Sequence, residues 1–412
     1  MSALAKPTPA ETALAEAFGA LDAPSEARRA AWDAFARTGL PHRRMEAWRW
    51  SDVRRAASQA LVLPETRTAP ARGGLFSDLD PIEIIFVDGR FAWWPEDDPE
   101  ADAIVREHAT PDRPLHIDAL PFGALSAALA PDSEMVILNV ADRLARPIWL
   151  RFLSERNDAA RLTRVGIIVE QGGSATVIES YEGGSAGFGS TFIEGFVHEK
   201  GRLDLIVLQD AAPDDVVIST ADVGLKSGAE FNQSSLAFGA KLARLETHVR
   251  HEGEGARAVL DGAYLLEDEL HADLTSVVTH TAPGCETRQT VKGAVRDRAS
   301  GVFQGRFDVA RGAQKTDARM GHHALLLSER ASVNAKPELE IYADDVQCAH
   351  GNTAGALDPE QLFYLQARGL SEAHAKALIT EAFIAEAFDR IADEAVRETL
   401  LGDVRAWLGR TA

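Results

Sequence analysis

The sequence contains few cysteines and little positive charge. Only Cys285 and Cys348 occur in 412 residues, so no disulfide framework is predicted, and free thiols are ordinary in a reducing compartment. The net charge is −20, which disfavours nucleic-acid binding because phosphate contacts need clustered Lys and Arg. No apolar run approaches the roughly 18 residues of a membrane span, and the N-terminus lacks the continuous apolar segment of a signal peptide. We therefore expect a cytoplasmic protein that binds neither nucleic acid nor membrane.

Common catalytic signatures are also missing. The chain has no Gly-Lys dipeptide, which excludes a phosphate-binding loop of the GxxxxGK[ST] type, and it has no HExxH zinc motif. The carboxylates of "LEDELHADLT" (Leu266–Thr275) are interpreted as part of a solvated loop or strand edge. No catalytic residues are predicted, and we expect the chain alone not to be an enzyme.

Hydrophobic patterning divides the chain into helical ends and a β-rich middle. In the first part, "SEARRAAWDAFARTG" predicts a helix capped by Ser25 and ended by Gly39, and "LPETRTAPARGG" is typical of a linker. Short apolar or alternating runs then recur about every ten residues, with Gly, Asp, Asn or Ser between them, which predicts strands and turns. A sandwich, a jelly roll or a β-solenoid would fit this rhythm. The predicted regions are a helical region (1–72), a mixed connecting region (73–150), a β core (151–350) and a C-terminal helical region (351–412).

The C-terminal region contains residues that commonly begin and end helices. In "LDPEQLFYLQARG", Asp358 can serve as N-cap, Pro359 as the first helical residue and Gln361 as partner in a capping box, and Gly369 can end the helix. Ser371 can cap one long second helix over "SEAHAKALITEAFIAEAFDRIADEAVRETLLG". The apolar stripe predicted for this helix consists of Leu378, Ile379, Ala382, Phe383, Phe388 and Ile391. The apolar faces of these helices either fold back onto the β body or meet another protein.

The stretch "ADDVQCAHGNTAG" carries a thiol and an imidazole two residues apart. On a strand, alternation would place Asp344, Val346, Cys348 and His350 on one face. Thiolate and imidazole are metal ligands, but an iron–sulfur or zinc site usually takes four protein ligands. Spacing alone favours a buried cysteine and a hydrogen-bonded histidine. If metal chemistry occurs here, the missing ligands must come from another chain.

Several segments resemble the SufB/SufD family of iron–sulfur cluster assembly proteins. The longest is "KPELEIYADDVQCAHGNTAGALDPEQLFYLQARGL", and "TAPGCETRQTVKG", "GVFQGRFDVARGAQKTDARM", "GLPHRRMEAWRWSDV" and "FVDGRF" are similar to the family as well. The resemblance is to the SufD branch, because SufB is longer and carries a histidine–glutamate version of the motif that reads Cys-Ala-His-Gly in this chain.

The resemblance implies a fold and a set of partners. The core would be a right-handed parallel β-helix with helical regions at both ends. The chain would be a non-catalytic scaffold that pairs with SufB, with a homodimer as an alternative when it is isolated, and the ATPase SufC would dock on its C-terminal helices. A transient iron–sulfur cluster would form at the SufB interface. The implied site residues are His350 as a cluster ligand, Cys348 as a weaker candidate, and, for the SufC dock, Asp358, Leu362, Phe363, Tyr364, Leu365, Arg368 and Gly369.

Two other functions remain open from the residues. A carbohydrate-active β-helix enzyme would need carboxylates or basic residues stacked on adjacent rungs of a groove. A β-rich adaptor with a structural Cys/His pair would need no metal.

Overall fold

The computed structural model describes residues 6–64, 72–107, 120–130, 135–184 and 186–409. Most of the predicted linker lies outside these residues. The helices are α1 (Pro9–Gly19), α2 (Glu26–Thr38), α3 (Val53–Ala56), α4 (Pro99–Ile104), α5 (Pro121–Leu129), α6 (Pro359–Gln366), α7 (Glu372–Ala385) and α8 (Glu394–Gly409). The strands are β1 (Ile82–Val87), β2 (Arg90–Trp93), β3 (Val105–Glu107), β4 (Val136–Val140), β5 (Ile148–Ser154), β6 (Ala160–Val169), β7 (Ser174–Gly183), β8 (Phe188–Val197), β9 (Arg202–Ala211), β10 (Val216–Leu225), β11 (Glu230–Ala237), β12 (Leu242–His251), β13 (Arg257–Leu266), β14 (His271–His280), β15 (Glu286–Val295), β16 (Ser300–Val309), β17 (Asp317–Leu326), β18 (Ser332–Ile341) and β19 (Gln347–Gly355).

The strands build a parallel β-solenoid with two sheets. From β4 onward the chain alternates between the sheets, so each strand pairs with the strand two places further along. His271 of β14 lies opposite Ser300 of β16, which lies opposite Ser332 of β18. The ten-stranded sheet runs from β2 to β19 and the nine-stranded sheet from β3 to β18. The prediction of a parallel β-helix core with helices at both ends is confirmed.

The spacing of the strands differs from the predicted rhythm. Strands β12 to β16 begin at residues 242, 257, 271, 286 and 300, so they recur every 14 or 15 residues rather than about every ten. Each of these strands is ten residues long and is followed by a short turn, which makes the full period longer than the apolar run alone. The sheets also begin with β1, before residue 151, and continue to Gly355.

Alternation along the strands creates an inner core and two outer faces. One row of side chains from each sheet fills the lumen, which includes Leu205, Val249, Phe303 and Phe307, all buried. The other row points outward, as expected for a period of two. The first end of the lumen is closed by β2 and α4, which contribute Phe91, Ala101 and Ile104 to the core.

Each outer face is covered by a different helical region. Helices α1, α2 and α5 pack with the outward side chains of β6, β8 and β10, including Phe188 and Phe192. Helix α2 begins after the N-cap Ser25 and ends at Gly39, as predicted. Helices α7 and α8 pack on the ten-stranded sheet, where Trp407 of α8 and Ala263 and Leu265 of β13 belong to one apolar cluster. No helix in the described part of the chain combines the length and apolar character that crossing a bilayer requires.

The C-terminal region folds back in part and remains exposed in part. Ser371 caps α7 by accepting a hydrogen bond from the His374 N–H, as predicted. The single long helix predicted after Ser371 is wrong, because a 3-10 turn and a short loop separate α7 from α8. The break lets α8 reverse against α7 and bury apolar residues of both helices on the sheet. Helix α6, in contrast, has no buried residue.

Candidate functional site

The solenoid is open at its C-terminal end. Strands β18 and β19 are the last strands of the two sheets, and within the described ranges nothing pairs with their outer edges. The lumen-facing residues Val333, Ala335 and Leu339 of β18 pack on the core below but are only partly buried. An unpaired edge with an apolar lining is a ready surface for another chain.

Three polar side chains of β19 lie on the lumen side of this opening. Cys348 is opposite Ala318, His350 opposite Met320, and Asn352 opposite His322. The three partners on β17 are buried in the lumen, so alternation directs the β19 side chains along the same side of the sheet. His350 and Asn352 are exposed, since no further turn covers them, and Cys348 is half-buried.

The aspartates of the same stretch do not join this row. Strand β19 begins at Gln347, so Asp344 and Val346 precede it, and the expected face from Asp344 to His350 is shorter than predicted. Asp345 lies in the turn, where its carboxylate contacts Lys315 Nζ at 2.6 Å. A turn breaks the two-residue alternation on which the prediction depended.

The thiol at the opening is shielded from water in part. Burial, together with the nearby Asp317 carboxylate, raises the pKa of Cys348, although a backbone hydrogen bond involving Ala318 opposes the shift. The thiol is therefore protonated at neutral pH. Across the ranges that the structure describes, no group of three or more His, Cys, Asp and Glu side chains could hold a metal ion. The opening thus offers at most part of a ligand set.

A buried hydrogen-bond chain supports Asn352 from below. Tyr264 Oη lies 2.8 Å from His322 Nε2, and His322 Nδ1 lies 2.6 Å from Asn352 Oδ1. His322 also stacks on Phe303, with ring centroids 4.8 Å apart. Burial lowers the pKa of His322 to about 4, so the ring is neutral at physiological pH.

Sequence reasoning missed this chain of contacts. Adjacent His322 and His323 face opposite sides of β17, since His323 Nδ1 contacts Thr353 Oγ1 on the outer side. The link between His322 and Asn352 depends on the pairing of β17 with β19. Only the register of two strands could have revealed it.

The second cysteine lies elsewhere. Cys285 is buried in the turn before β15, and its thiol donates to the Gly253 carbonyl at 3.4 Å. Burial raises the pKa of this thiol. Its environment is that of a structural cysteine.

A buried ion-pair network joins the N-terminal segment to the solenoid. Arg244 Nη1 donates to Asp273 Oδ2 at 2.8 Å and to the Ala47 carbonyl at 2.9 Å, and its guanidinium carbon lies 3.8 Å from the centroid of the Trp48 ring. Ser51 Oγ donates to Asp273 Oδ2 at 2.5 Å. Asp273 is fully buried. The interpretation of "LEDELHADLT" as a solvated loop or edge is therefore wrong for Asp273, because the N-terminal segment covers it.

A groove of about 800 Å³ lies between α6 and α7. Tyr364, Leu365, Leu378 and Phe383 contribute to its walls. Asp358 caps α6 by accepting from the Glu360 N–H. The residues predicted for the SufC dock are located on this helix and at its ends: Asp358, Leu362, Phe363, Tyr364, Leu365, Arg368 and Gly369.

The fold and the opening define the class of protein. The chain is a parallel β-solenoid with one closed end, one open end and helices that leave a groove exposed. A family model described as "SUF system FeS cluster assembly, SufBD core domain" matches residues 152–383, more than half of the chain. The chain belongs to the SufBD family and has a role in iron–sulfur cluster assembly.

Curated relatives agree with this membership. The iron–sulfur cluster assembly protein SufD of Escherichia coli is 29% identical over 378 residues, which cover 89% of each chain. The chloroplastic protein ABCI7 of Arabidopsis thaliana is 30% identical over 70% of this chain and 63% of its own length. The SufD protein of Bacillus subtilis is 25% identical over 70% of this chain and 67% of its own length. The identification with the SufD branch is confirmed.

Proposed function

We propose that this chain is a non-catalytic cytoplasmic scaffold that pairs with SufB through the open end of the solenoid and carries a nascent cluster there. The observation that supports the pairing most directly is the contrast between the two ends. At one end β2 and α4 cover the lumen, whereas at the other end the apolar lining is partly exposed and no strand of the described ranges pairs with the outer edges of β18 and β19. Long exposed edges are rare in stable monomers, because they invite pairing with other chains. A homodimer through the same edges is expected when SufB is absent.

The cluster in this proposal is a cargo held jointly by two subunits. An imidazole and a thiol suit an iron–sulfur cluster, and both project at the open end. His350, exposed and on the lumen row, is the first candidate ligand. Cys348 is the weaker candidate, because burial favours its protonated form. SufB would supply the remaining ligands.

The ATPase SufC is proposed to bind at α6. Phe363 and Tyr364 are 73% and 54% exposed, which is unusual for aromatic side chains in a well-packed chain. Leu378 of α7 adds a further exposed apolar surface beside the groove. Aromatic residues of this kind dominate binding energy when a partner buries them. ATP hydrolysis would belong to SufC, and its closure would rearrange the SufB interface.

The SufC dock yields a prediction that separates binding from folding. The double variant Phe363→Ala/Tyr364→Ala is expected to weaken SufC binding at least ~10-fold, because each truncation removes a candidate hot-spot aromatic. Thermal stability should change little, since both side chains are exposed. Isothermal titration with purified SufC, beside a melting curve, measures the two effects.

A matched control tests whether the SufC-binding surface lies at α6. Tyr342 is 65% exposed and follows β18 at the open end, so Tyr342→Ala should leave SufC affinity unchanged. Equal SufC affinity for the double variant and the unmodified chain would reject the dock at α6.

The experiment that tests the cluster role is the variant His350→Ala in a complex purified without oxygen. We expect SufB and SufC to co-purify as before while the iron and sulfide content falls strongly, because one ligand is lost. The matched control is His323→Ala, which removes a histidine from the outer face of the neighbouring strand. Unchanged iron in His350→Ala would contradict the ligand role, and a chain that never captures SufB would contradict the scaffold role.

A further inference from the structure

The side-chain amide of Asn352 shares the open end with His350 and Cys348, and its orientation is set from inside the solenoid. We propose that Asn352 acts together with His350 and Cys348 at the open end of the solenoid. In this proposal its Nδ2 hydrogens donate a hydrogen bond to a sulfide of the cluster. The inference rests on the proposed function, since it needs a cluster at His350. The side chain of Asn352 is not one of the proposed metal ligands, and the pairing of β17 with β19 uses only its backbone.

The orientation begins at Tyr264. Its ring and hydroxyl are fully buried, and burial raises the pKa of the phenol, so the hydroxyl keeps its proton. A buried hydroxyl proton needs an acceptor, and His322 Nε2 provides one at 2.8 Å. Gly293 and Gly301 make room for the ring, because a Cβ at either position would overlap Tyr264.

The tautomer of His322 follows from that contact. A neutral imidazole that accepts at Nε2 carries its hydrogen on Nδ1. The Nδ1–H group therefore donates to Asn352 Oδ1 at 2.6 Å. Stacking of the ring on Phe303, with an interplanar angle of 1°, holds it in this orientation.

The amide then has one possible direction. Because Oδ1 is engaged by His322 in the layer below, the rigid amide turns its Nδ2 hydrogens away from that layer. Asn352 is exposed and lies on the same side of β19 as His350. Hydrogen bonds to cluster sulfides raise reduction potentials and help to hold clusters. Tyr264 and His322 are thus positioning residues for a donor at the opening.

The first test uses the isolated chain and nitrogen-15 NMR of the histidine side chains. His322 is expected as the Nδ1–H tautomer, and Tyr264→Phe should remove the hydroxyl donor and shift the ring towards the other tautomer. Tyr181→Phe is the matched control, because that buried hydroxyl donates to Glu179 instead. An Nε2–H tautomer in the unmodified chain would overturn the inference.

The second test uses the complex with SufB and SufC, purified and studied without oxygen. Asn352→Ala, Asn352→Asp and Tyr264→Phe should each shift the cluster reduction potential to more negative values, and chelators should remove iron roughly 10-fold faster, as expected for one lost hydrogen bond to a charged group. The potential should stay constant in Tyr181→Phe. Asn352→Asp keeps the acceptor for His322 and so tests whether the fold tolerates loss of the amide. Because its carboxylate adds a negative charge that itself lowers the potential, the donor role is read from Asn352→Ala and Tyr264→Phe.

The outcomes separate the two proposals. If His350→Ala loses the cluster and the Asn352 variants keep its potential, the donor role is wrong and the scaffold role stands. If His350→Ala keeps the cluster unchanged, the ligand role falls, and the donor role falls with it.

Discussion

Replacing Arg244 by Met is expected to lower the free energy of unfolding by about 3–5 kcal/mol, because removal of one partner leaves a buried charge without compensation. Arg244 and Asp273 are both 0% exposed, and the guanidinium also donates to Glu246 Oε2 at 2.9 Å. Desolvation opposes the charge on Arg244, but Asp273 and Glu246 outweigh it and raise its pKa. The methionine would fill much of the volume and satisfy none of these groups.

The same variant should loosen the N-terminal segment. Arg244 contacts the Ala47 carbonyl and the Trp48 ring, so its loss weakens the anchor of this segment on the nine-stranded sheet. Urea unfolding gives the stability change, and limited proteolysis of the first 60 residues reports the loosening.

Arg202→Met is the matched control for Arg244→Met. Arg202 pairs with Asp204 and Glu230 on the outer face, where its side chain is 36% exposed, and such pairs contribute about 0–1 kcal/mol. If Arg202→Met and Arg244→Met lowered the free energy of unfolding by similar amounts, burial would not explain the effect at Arg244.

Replacing Glu179 by Gln is expected to remove a pH dependence of stability. The carboxyl is fully buried in the lumen, where Tyr181 Oη donates to Oε2 at 2.8 Å and Oε1 has no partner in the described structure. Burial raises its pKa from 4.5 to about 7, although hydrogen bonds from Tyr181 and Ser219 oppose the shift. The folded chain therefore keeps a proton that the unfolded chain releases between pH 4.5 and 7.

The sign of the effect follows from this difference. The contribution of Glu179 to stability is complete below pH 4.5 and is lost as the pH rises to 7, by about 3 kcal/mol for such a shift. The stability of Glu179→Gln relative to the unmodified chain should rise by that amount between pH 4.5 and 8. Urea midpoints across this range measure it.

Glu246→Gln provides the comparison for the pH series. Burial would raise the pKa of Glu246, but the charge of Arg244 prevails and lowers it to about 2. Because Glu246 is ionised in the folded chain across this range, Glu246→Gln should not show the rise in relative stability between pH 4.5 and 8 that is expected for Glu179→Gln. Parallel pH profiles for Glu179→Gln and the unmodified chain would show that Glu179 is ionised in the folded protein.

Local features of the chain were predictable because neighbouring residues produce them. Ser25, Asp358 and Ser371 cap helices through contacts within a few residues. Alternating runs predicted strands, but a sandwich, a jelly roll and a solenoid share that alternation. The choice among them came from the family resemblance and not from the period.

The tertiary contacts of the site were not predictable in the same way. Asn352 meets His322 from 30 residues away, and Ser51 meets Asp273 across 222 residues. Both contacts depend on which strand stacks on which and in what register, and a shift of one residue would turn these side chains to the opposite face. The carboxylates of "LEDELHADLT" illustrate the consequence, since nothing near them in the chain indicates that Asp273 is covered.

The amino-acid sequence alone was sufficient to predict the helix caps and the β-rich middle and to show that common catalytic motifs are missing. It also contains the motif around Cys348 and His350 that indicates the family. Only the tertiary structure determined three further features. The order of the stacked turns makes β18 and β19 the last strands, places His322 beneath Asn352 and buries Arg244 under the N-terminal segment. Caps and alternation arise from short-range geometry, which the order of residues encodes directly. Burial and orientation arise from parallel pairing between distant segments, and they exist only once the solenoid has formed.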